Sequence, residues 1–366
     1  MIQRRNSRKI RVGAVEVGGG APVSVQSMTN TDTRDVAATL AQIVRLMKAG
    51  CDIVRVAVDD RETAAALAEI TEISPLPVIA DIQFDHTMAI AAIQSHAAGI
   101  RLNPGFLHSE CDLRPLARAV IDSGVPVRIG ANSGSVRPEL VRAALEKGMD
   151  PDSAMAEALV SSALENCEKL EKLGIHDIKV AVKAPGVPVC VKATRLLAER
   201  TDYPLHLGVT EAGIPSRGIV KSAVGIGSLL LDGIGDTIRV SLTAPPEEEA
   251  MAGVRILEAV GMRDAMPEII SCPTCGRTEF DLVGLANRVE DLVADIKASG
   301  KNIKLKKIAV MGCPVNGPGE ARSADLGIAG SRTGKVVIFR RGEVVGAYNA
   351  DEGFEYFRLE ILKSCE

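Results

Sequence analysis

Short apolar runs alternate with longer amphipathic stretches through residues 22–245, and this alternation restricts the possible folds more than any other feature of the sequence. In stretches such as 35–49, 155–173 and 219–231, apolar residues recur every three or four positions, which predicts helices. The apolar runs predict strands, and they are PVSVQSM (22–28), DIVRVAV (52–58), PVIADI (77–82), GIRLN (99–103), PVRIGAN (126–132), DIKVAVK (177–183), PLHLGVT (204–210) and DTIRVSL (236–242). This succession of strand-then-helix units predicts a TIM (β/α)8 barrel rather than an open doubly wound sheet, which usually has about six strands. Residues 138–148 predict one additional helix.

Polar residues cluster where these predicted strands end. They include Gln26, Ser27, Arg55, Asp81, Arg101, Asn103, Arg128, Asn132, Lys179, Lys183, His206, Thr210, Glu211, Arg239 and Ser241. The C-terminal ends of the strands surround the active site of a TIM barrel, so we expect these side chains to converge there. A single arginine at a strand end can be an ordinary salt bridge, but several cations in one mouth repel each other unless an anion lies between them.

Composition and motifs narrow the class of that anion. The chain has 366 residues and a net charge of −4, which argues against a general nucleic-acid binder, and no apolar run is long enough to span a membrane. The GxGxxG and GxxxxGK[ST] nucleotide-binding motifs are missing. The basic N-terminus has no apolar stretch typical of a secretory signal, so we expect a cytoplasmic protein. The predicted ligand is a small phosphorylated or diphosphorylated molecule.

The pattern changes after about residue 262, where a second unit begins. A helix is predicted over 282–298, a strand over 306–312, a hairpin over 335–348 with an Arg-Gly turn, and a terminal helix over 354–363. We therefore predict a barrel domain over residues 1–262 and a small α+β domain over residues 263–366.

Three of the eight cysteines lie in Pro- and Gly-rich loops of this second domain. Cys272 and Cys275 form a Cys-x-x-Cys pair, and Cys313 precedes a proline about forty residues later. A structural zinc site usually needs a fourth Cys or His; no His follows His206, and Cys365 is a possible fourth ligand but is the next-to-last residue. An iron–sulfur cluster with a non-thiolate fourth ligand, for which Glu320 is the best candidate, therefore fits the spacing better than zinc or a redox-active thiol pair.

Eight motifs, in order along nearly the whole chain, resemble the family of 4-hydroxy-3-methylbut-2-enyl diphosphate synthases. They are PVSVQSMTNTDT, ADIQFD, IRLNPG, RIGANSGS, LHLGVTEAG, VKSAVGIGSLLLDGIGDTIRVSL, SCPTCGRTEFD and MGCPVNGPGEA. The resemblance is to the shorter bacterial form, which lacks the inserted domain of the plant-type form. One departure is Gln83, where many relatives have His, and it puts a role for histidine at that position in doubt.

The resemblance implies a reaction and a set of partners. The reaction is the reductive ring opening and dehydroxylation of 2-C-methyl-D-erythritol 2,4-cyclodiphosphate, with two electrons from flavodoxin or ferredoxin. A [4Fe–4S] cluster bound by Cys272, Cys275, Cys313 and Glu320 is implied, as is a homodimer in which one subunit's cluster domain closes the other's barrel. In this interpretation Glu320 also takes part in catalysis, and His206 and Glu211 are acid or base candidates. The substrate-binding set is Arg55, Asp81, Arg101, Asn103, Arg128, Asn132, Lys183, Thr210, Arg239 and Ser241.

Two other functions remain compatible with the residues alone. One is a non-redox barrel synthase with a structural zinc domain, and the other is an electron carrier or sensor whose cluster performs no substrate chemistry. Iron and sulfide analysis separates the first from an iron–sulfur enzyme. The basic barrel mouth argues against the second, because an electron carrier needs no diphosphate site.

Overall fold

The computed structural model describes residues 2–83, 85–102, 110–264, 267–278, 280–313, 319, 321–331 and 334–366. The chain divides into two compact units, Met1–Arg263 and Asp264–Glu366. No helix in the described parts of the chain is long and apolar enough to cross a membrane.

An antiparallel hairpin of β1 (Ile10–Val12) and β2 (Val15–Val17) opens the first unit. Its buried apolar residues pack against Ile53 and Ile79, which lie near the N-terminal ends of two barrel strands. The hairpin therefore covers the end of the barrel opposite the predicted mouth. The sequence analysis did not predict it.

The predicted TIM barrel is confirmed. Eight parallel strands follow the hairpin: β3 (Ser24–Met28), β4 (Ile53–Ala57), β5 (Val78–Ile82), β6 (Gly99–Leu102), β7 (Val127–Asn132), β8 (Ile178–Lys183), β9 (His206–Leu207) and β10 (Thr237–Ile238). They hydrogen-bond in the order β8-β7-β6-β5-β4-β3-β10-β9, and a bridge between Val180 and Leu205 joins the two outer strands. The ring is thereby closed, and each predicted strand contributes to it.

Nine helices of the described first unit surround the barrel: α1 (Val36–Lys48), α2 (Arg61–Ile73), α3 (His86–Gln94), α4 (Glu110–Ser123), α5 (Pro138–Glu146), α6 (Pro151–Lys172), α7 (Val187–Arg200), α8 (Pro215–Leu231) and α9 (Pro246–Ala259). Several helices begin at an aspartate whose carboxylate accepts a hydrogen bond from a backbone N–H of the first turn. Examples are Asp35 at α1, Asp60 at α2 and Asp150 at α6. The additional helix predicted at 138–148 is α5. Strand β8 is buried along its whole length, as expected where helices cover a parallel sheet.

The second unit contains one mixed sheet. Its elements are β11 (Glu268–Ser271), α10 (Leu282–Ala298), β12 (Lys307–Met311), β13 (Leu326–Gly330), β14 (Lys335–Arg340), β15 (Glu343–Asn349) and a C-terminal helix (Ala350–Lys363). The strands lie in sequence order, with β11, β12 and β13 parallel and the last two antiparallel. Arg341 and Gly342 form the predicted hairpin turn with φ of +48° and +85°. The core packs Val289, Ile308 and Phe357 against one another.

Candidate functional site

Basic side chains from separate strands converge inside the barrel. Arg55 on β4, Arg101 on β6, Arg128 on β7 and Lys183 on β8 are each less than one-tenth exposed, although every one is a charged residue type. Arg239, directly after β10, lies close enough to influence the titration of Arg55, Arg128 and Lys183. The convergence predicted from the strand ends is therefore observed for these five residues.

Asp81 on β5 is the carboxylate that holds two of these cations. Its Oδ1 accepts a hydrogen bond from Arg101 Nη1 at 2.8 Å, and its Oδ2 lies 3.5 Å from Arg55 Nε. Burial raises the pKa of Asp81, but the guanidinium groups of Arg55 and Arg101 outweigh burial and hold that pKa below its usual range. Arg55 also donates to Met28 Sδ. The two arginines are thus oriented before any ligand arrives.

Other cationic donors in the barrel have no hydrogen-bond partner within the part of the chain that the structure describes. Arg101 Nε, Arg128 Nε and Nη1, and Arg239 Nε are buried without a hydrogen-bond acceptor. Burial, followed by repulsion from Arg55 and Arg101, holds the pKa of Arg128 well below its usual value. Burial, followed by repulsion from Arg128 and Arg239, does the same to the pKa of Lys183. Buried polar groups in folded proteins are nearly always satisfied, so these donors indicate a site for an anion.

Two glycines provide the space for the longest of these side chains. A Cβ atom on Gly208 would lie 2.6 Å from Lys183 Nζ and 2.5 Å from the carbonyl oxygen of Arg239. A Cβ atom on Gly130 would lie 3.3 Å from Arg128 Nη2. Glycine within or next to a strand often marks such a close approach, so RIGAN and HLGVT already contained this signal.

The predicted acid or base residues have different environments. His206 on β9 is 1% exposed, and neither ring nitrogen has a hydrogen-bond partner among the described residues. Burial, then the charges of Lys183 and Arg128, hold the pKa of His206 well below its usual value, so it is a neutral imidazole in this arrangement. Glu211 is exposed, in the loop after β9, with φ of +53°.

The remaining predicted binding residues are less enclosed. Asn132, Thr210 and Ser241 are half-buried, on or just after the ends of β7, β9 and β10. Asn103 lies outside the described residues.

Glu249 on α9 is a site residue that the sequence analysis missed. Its Oε1 accepts the backbone N–H of Leu242 at 2.9 Å, and its Oε2 accepts the Ser27 hydroxyl at 3.3 Å. The same Oε2 lies 3.5 Å from Arg239 Nη2. Nothing in PPEEEA distinguishes this glutamate from its two neighbours except helical periodicity, which places it with the buried residues Pro246, Ala250 and Gly253.

The predicted metal-binding cysteines lie at one edge of the second sheet. Cys272 follows the end of β11 and Cys313 comes two residues after β12, and these parallel strands are neighbours with Ser271 opposite Val310. The Gly312 N–H donates to Cys272 Sγ at 3.0 Å. Cys275 is exposed, and hydrogen bonding, first from the backbone of Arg277, lowers its thiol pKa.

Within the described residues, no three Cys, His, Asp or Glu side chains are close enough to hold one metal ion. The predicted ligand Glu320 lies outside those residues. Cys51, Cys167 and Cys190 are buried in the barrel, and burial raises the pKa of each thiol, so they are inert core residues.

Both parts of the chain match models of one protein family. Residues 7–254 match the GcpE TIM-barrel domain, and residues 268–363 match the GcpE protein C-terminal domain. Similar curated proteins are named 4-hydroxy-3-methylbut-2-en-1-yl diphosphate synthase (flavodoxin). One from Clostridium perfringens is 49% identical over 100% of this chain and 99% of its own length. One from Acidothermus cellulolyticus is 53% identical over 100% of this chain and 90% of its own length.

Proposed function

The chain belongs to the GcpE family, and on that premise we propose that it is an oxidoreductase of isoprenoid precursor biosynthesis. Its substrate is 2-C-methyl-D-erythritol 2,4-cyclodiphosphate, and its product is 4-hydroxy-3-methylbut-2-enyl diphosphate. The reaction opens the diphosphate ring, removes one hydroxyl group as water and consumes two electrons.

The observation that carries this proposal is the surplus of buried cations in the barrel. Arg55 and Arg101 share Asp81, and Arg239 lies beside Glu249, but Arg128 keeps two unpartnered nitrogen atoms. A diphosphate supplies two negative charges and several acceptor oxygens to such a group of donors. In our proposal the diphosphate-binding cations are Arg55, Arg101, Arg128, Lys183 and Arg239, and Asp81 orients two of them.

The same cations assist ring opening. When the carbon–oxygen bond to the ring diphosphate breaks, negative charge develops on the departing phosphate oxygen, and fixed guanidinium groups stabilise it. The half-buried amide of Asn132 and the half-buried hydroxyl groups of Thr210 and Ser241 hydrogen-bond the substrate's own oxygens. From its place in the sequence we assign the same role to Asn103. The departing hydroxyl group must take up a proton, and Glu211 and His206 are our candidates for supplying or relaying it.

We assign the [4Fe–4S] cluster to Cys272, Cys275, Cys313 and Glu320. Two observations fit this role, because the sulfur that binds a metal is a thiolate. The Gly312 N–H donates a hydrogen bond to Cys272 Sγ, and such amide groups stabilise thiolate charge. The thiol pKa of Cys275 is lowered, which favours its thiolate form. When bound, the cluster supplies electrons and a Lewis-acidic iron. Glu320→Gln tests the fourth ligand: we expect the cluster to be retained and most turnover lost, whereas full activity would remove Glu320 from the set.

Flavodoxin is the proposed electron donor, as in the names of the relatives, and ferredoxin is the alternative. We further propose a cytoplasmic homodimer whose composite sites combine the barrel of one subunit with the cluster domain of the other. Cys313→Ser and Arg128→Ala proteins, allowed to exchange subunits and assayed at a substrate concentration too low for the Arg128→Ala site to bind, would then recover about a quarter of wild-type activity, since half of the dimers are mixed and each has one intact site. No recovery after verified exchange would place each site within one chain.

The test of the function is anaerobic turnover of the cyclodiphosphate with a reduced viologen dye, after iron and sulfide analysis. We expect an iron-loaded protein that forms the linear diphosphate. A colourless, zinc-loaded protein would instead support the non-redox synthase. A coloured protein that neither binds nor converts the cyclodiphosphate would support the electron carrier.

A further inference from the structure

Lys179 is a buried amine that the proposed reaction does not use. It lies on β8 four residues before Lys183, roughly 13 Å along the strand at ~3.3 Å per residue, and is therefore deeper in the barrel. Lys179 is 2% exposed, and its Nζ has no hydrogen-bond partner in the described parts of the chain. Its register partner on β7 is Arg128, one of the proposed diphosphate ligands.

The charges around Lys179 disfavour its protonation. Arg128 on β7 and Arg55 on β4 repel it, and Lys179 in turn influences the titration of His206 on β9. Asp236, just before β10, is the carboxylate that attracts Lys179. That carboxylate already accepts hydrogen bonds from Arg4 Nη2 at 3.0 Å, from Ser7 Oγ at 2.9 Å and from the Leu205 N–H at 2.8 Å.

Unpartnered polar groups of other strands also lie in the barrel interior. They are the Gln26 side-chain amide, the Ser24 and Thr237 hydroxyl groups and both His206 ring nitrogens, all buried. Thr237 stands in register with both Ser24 and His206, so these side chains share one layer. Through His206, whose titration Lys179 influences, this layer of polar groups reaches the surroundings of Lys179.

We propose that Lys179 is mostly a neutral amine above neutral pH when the barrel mouth is empty and becomes an ammonium ion when the cyclic diphosphate binds, so that substrate binding at such a pH takes up a proton. The anion offsets the charges of Arg128 and Arg55, and a further cation close to them then becomes favourable. Lys179 acts through Arg128 and is a positioning residue. The inference rests on the proposed function, because it requires a diphosphate in the mouth.

The sign of the pH dependence follows from this linkage. Burial and then the charge of Arg128 lower the pKa of Lys179 to about 7 in the ligand-free protein. Below that pH the ammonium is already present, and its contribution to binding is complete. Above that pH, binding of each substrate molecule also requires Lys179 to take up a proton from solution. The affinity therefore falls by up to about tenfold per pH unit until the higher pKa of Lys179 in the complex is passed.

Isothermal titration calorimetry of the oxidised holoprotein without electron donor tests the inference. The cyclodiphosphate has no ionisation near neutral pH, so the dependence of the binding enthalpy on the buffer's ionisation enthalpy counts protons taken up by the protein. At about pH 8 an amine with a pKa of about 7 is roughly one-tenth protonated. We expect Lys179→Met to lose nearly one proton of uptake relative to wild type and to show a flatter pH profile of affinity.

Two further variants separate this role from a structural one. Lys179→Arg carries a fixed charge in both states and should lose the same proton uptake while still binding substrate, which covers the case that Lys179→Met does not fold. Lys192→Met removes a half-exposed lysine paired with Asp150 and should leave uptake at the wild-type value. If the Lys179 variants take up as many protons as the wild-type protein, the inference is overturned and the proposed function is not affected. Absence of cyclodiphosphate binding to the wild-type protein would overturn the proposed function, and the inference with it.

Discussion

Arg128 and Lys183 project from strands into the interior of the barrel, whereas Cys272 and Cys313 lie just beyond the ends of two strands of the second sheet. The two barrel cations are almost fully buried, and their surroundings are held by a closed ring of strands. Cys275, by contrast, is exposed in a loop. The barrel strands alone position the two cations, whereas the cysteines lie in or next to loops, and a bound metal centre would hold them together.

This difference has an energetic consequence. Burying like charges costs free energy in the ligand-free protein, and a bound anion recovers that cost. Removing a cation from the barrel should therefore weaken ligand binding without weakening the fold. Removing a cysteine from the loops should abolish metal binding and leave the barrel unchanged. The following variants test this contrast.

The largest effect is expected for the loop cysteines. Cys272→Ser, Cys275→Ser and Cys313→Ser each remove one thiolate, and each should abolish the cluster and with it all turnover. Visible absorption and iron content of anaerobically purified protein measure the loss. Cys190→Ser is the control, because its buried thiol packs in the barrel near the carbonyl oxygen of Gly208. Full cluster content in any loop variant would exclude that cysteine as a ligand.

A smaller effect is expected for the barrel. Arg128→Ala should weaken cyclodiphosphate binding by about 3 kcal/mol, roughly a hundredfold, the scale for losing charge-assisted hydrogen bonds to a buried anion. The ligand-free variant should be at least as stable as wild type toward urea, because one of several mutually repelling cations is gone. Arg137→Ala, which removes an exposed arginine paired with Glu165, is the control. Unchanged binding by Arg128→Ala would show that the anion lies elsewhere.

The barrel could be predicted because its pattern is long and repeated. All eight strands begin and end inside the predicted apolar runs, although β9 and β10 have only two residues each. The second sheet was harder to predict from sequence. Strand β13 reads LGIAG and lacks a β-branched run, because Gly327 lies beneath the ring of Phe339, where a Cβ atom would come within 2.0 Å. Close packing across the sheet, rather than strand propensity, accounts for that sequence.

The site could be predicted in part. Position within a predicted strand identified Arg55, Asp81, Arg101 and Arg128, although Arg128 is the second residue of β7 rather than a residue at its C-terminal end. Burial depth does not follow from it. Lys179 was recognised as one more polar residue of a strand, but only the strand register shows that it lies level with Arg128. Glu249 contributes from a helix, and its contact with Arg239 depends on tertiary packing.

Glu249 offers the smallest of the predicted effects. Glu249→Gln keeps an acceptor for the Leu242 N–H but removes the charge beside Arg239 and weakens the bond from Ser27. We expect a loss of about 1 to 2 kcal/mol in the free energy of unfolding, measured by urea denaturation, because a buried charge loses its partner.

Glu247→Gln is the matched control on the same helical turn. Its carboxylate pairs with the half-exposed Arg45 at 2.8 Å, and such surface pairs contribute less than about 1 kcal/mol. If Glu249 only fills space, the two variants will have equal stabilities and equal KM values. If it positions Arg239, only Glu249→Gln will raise KM for the cyclodiphosphate, while its effect on kcat remains smaller. That split would assign α9 a part in the substrate site, alongside the strands that carry the other cations.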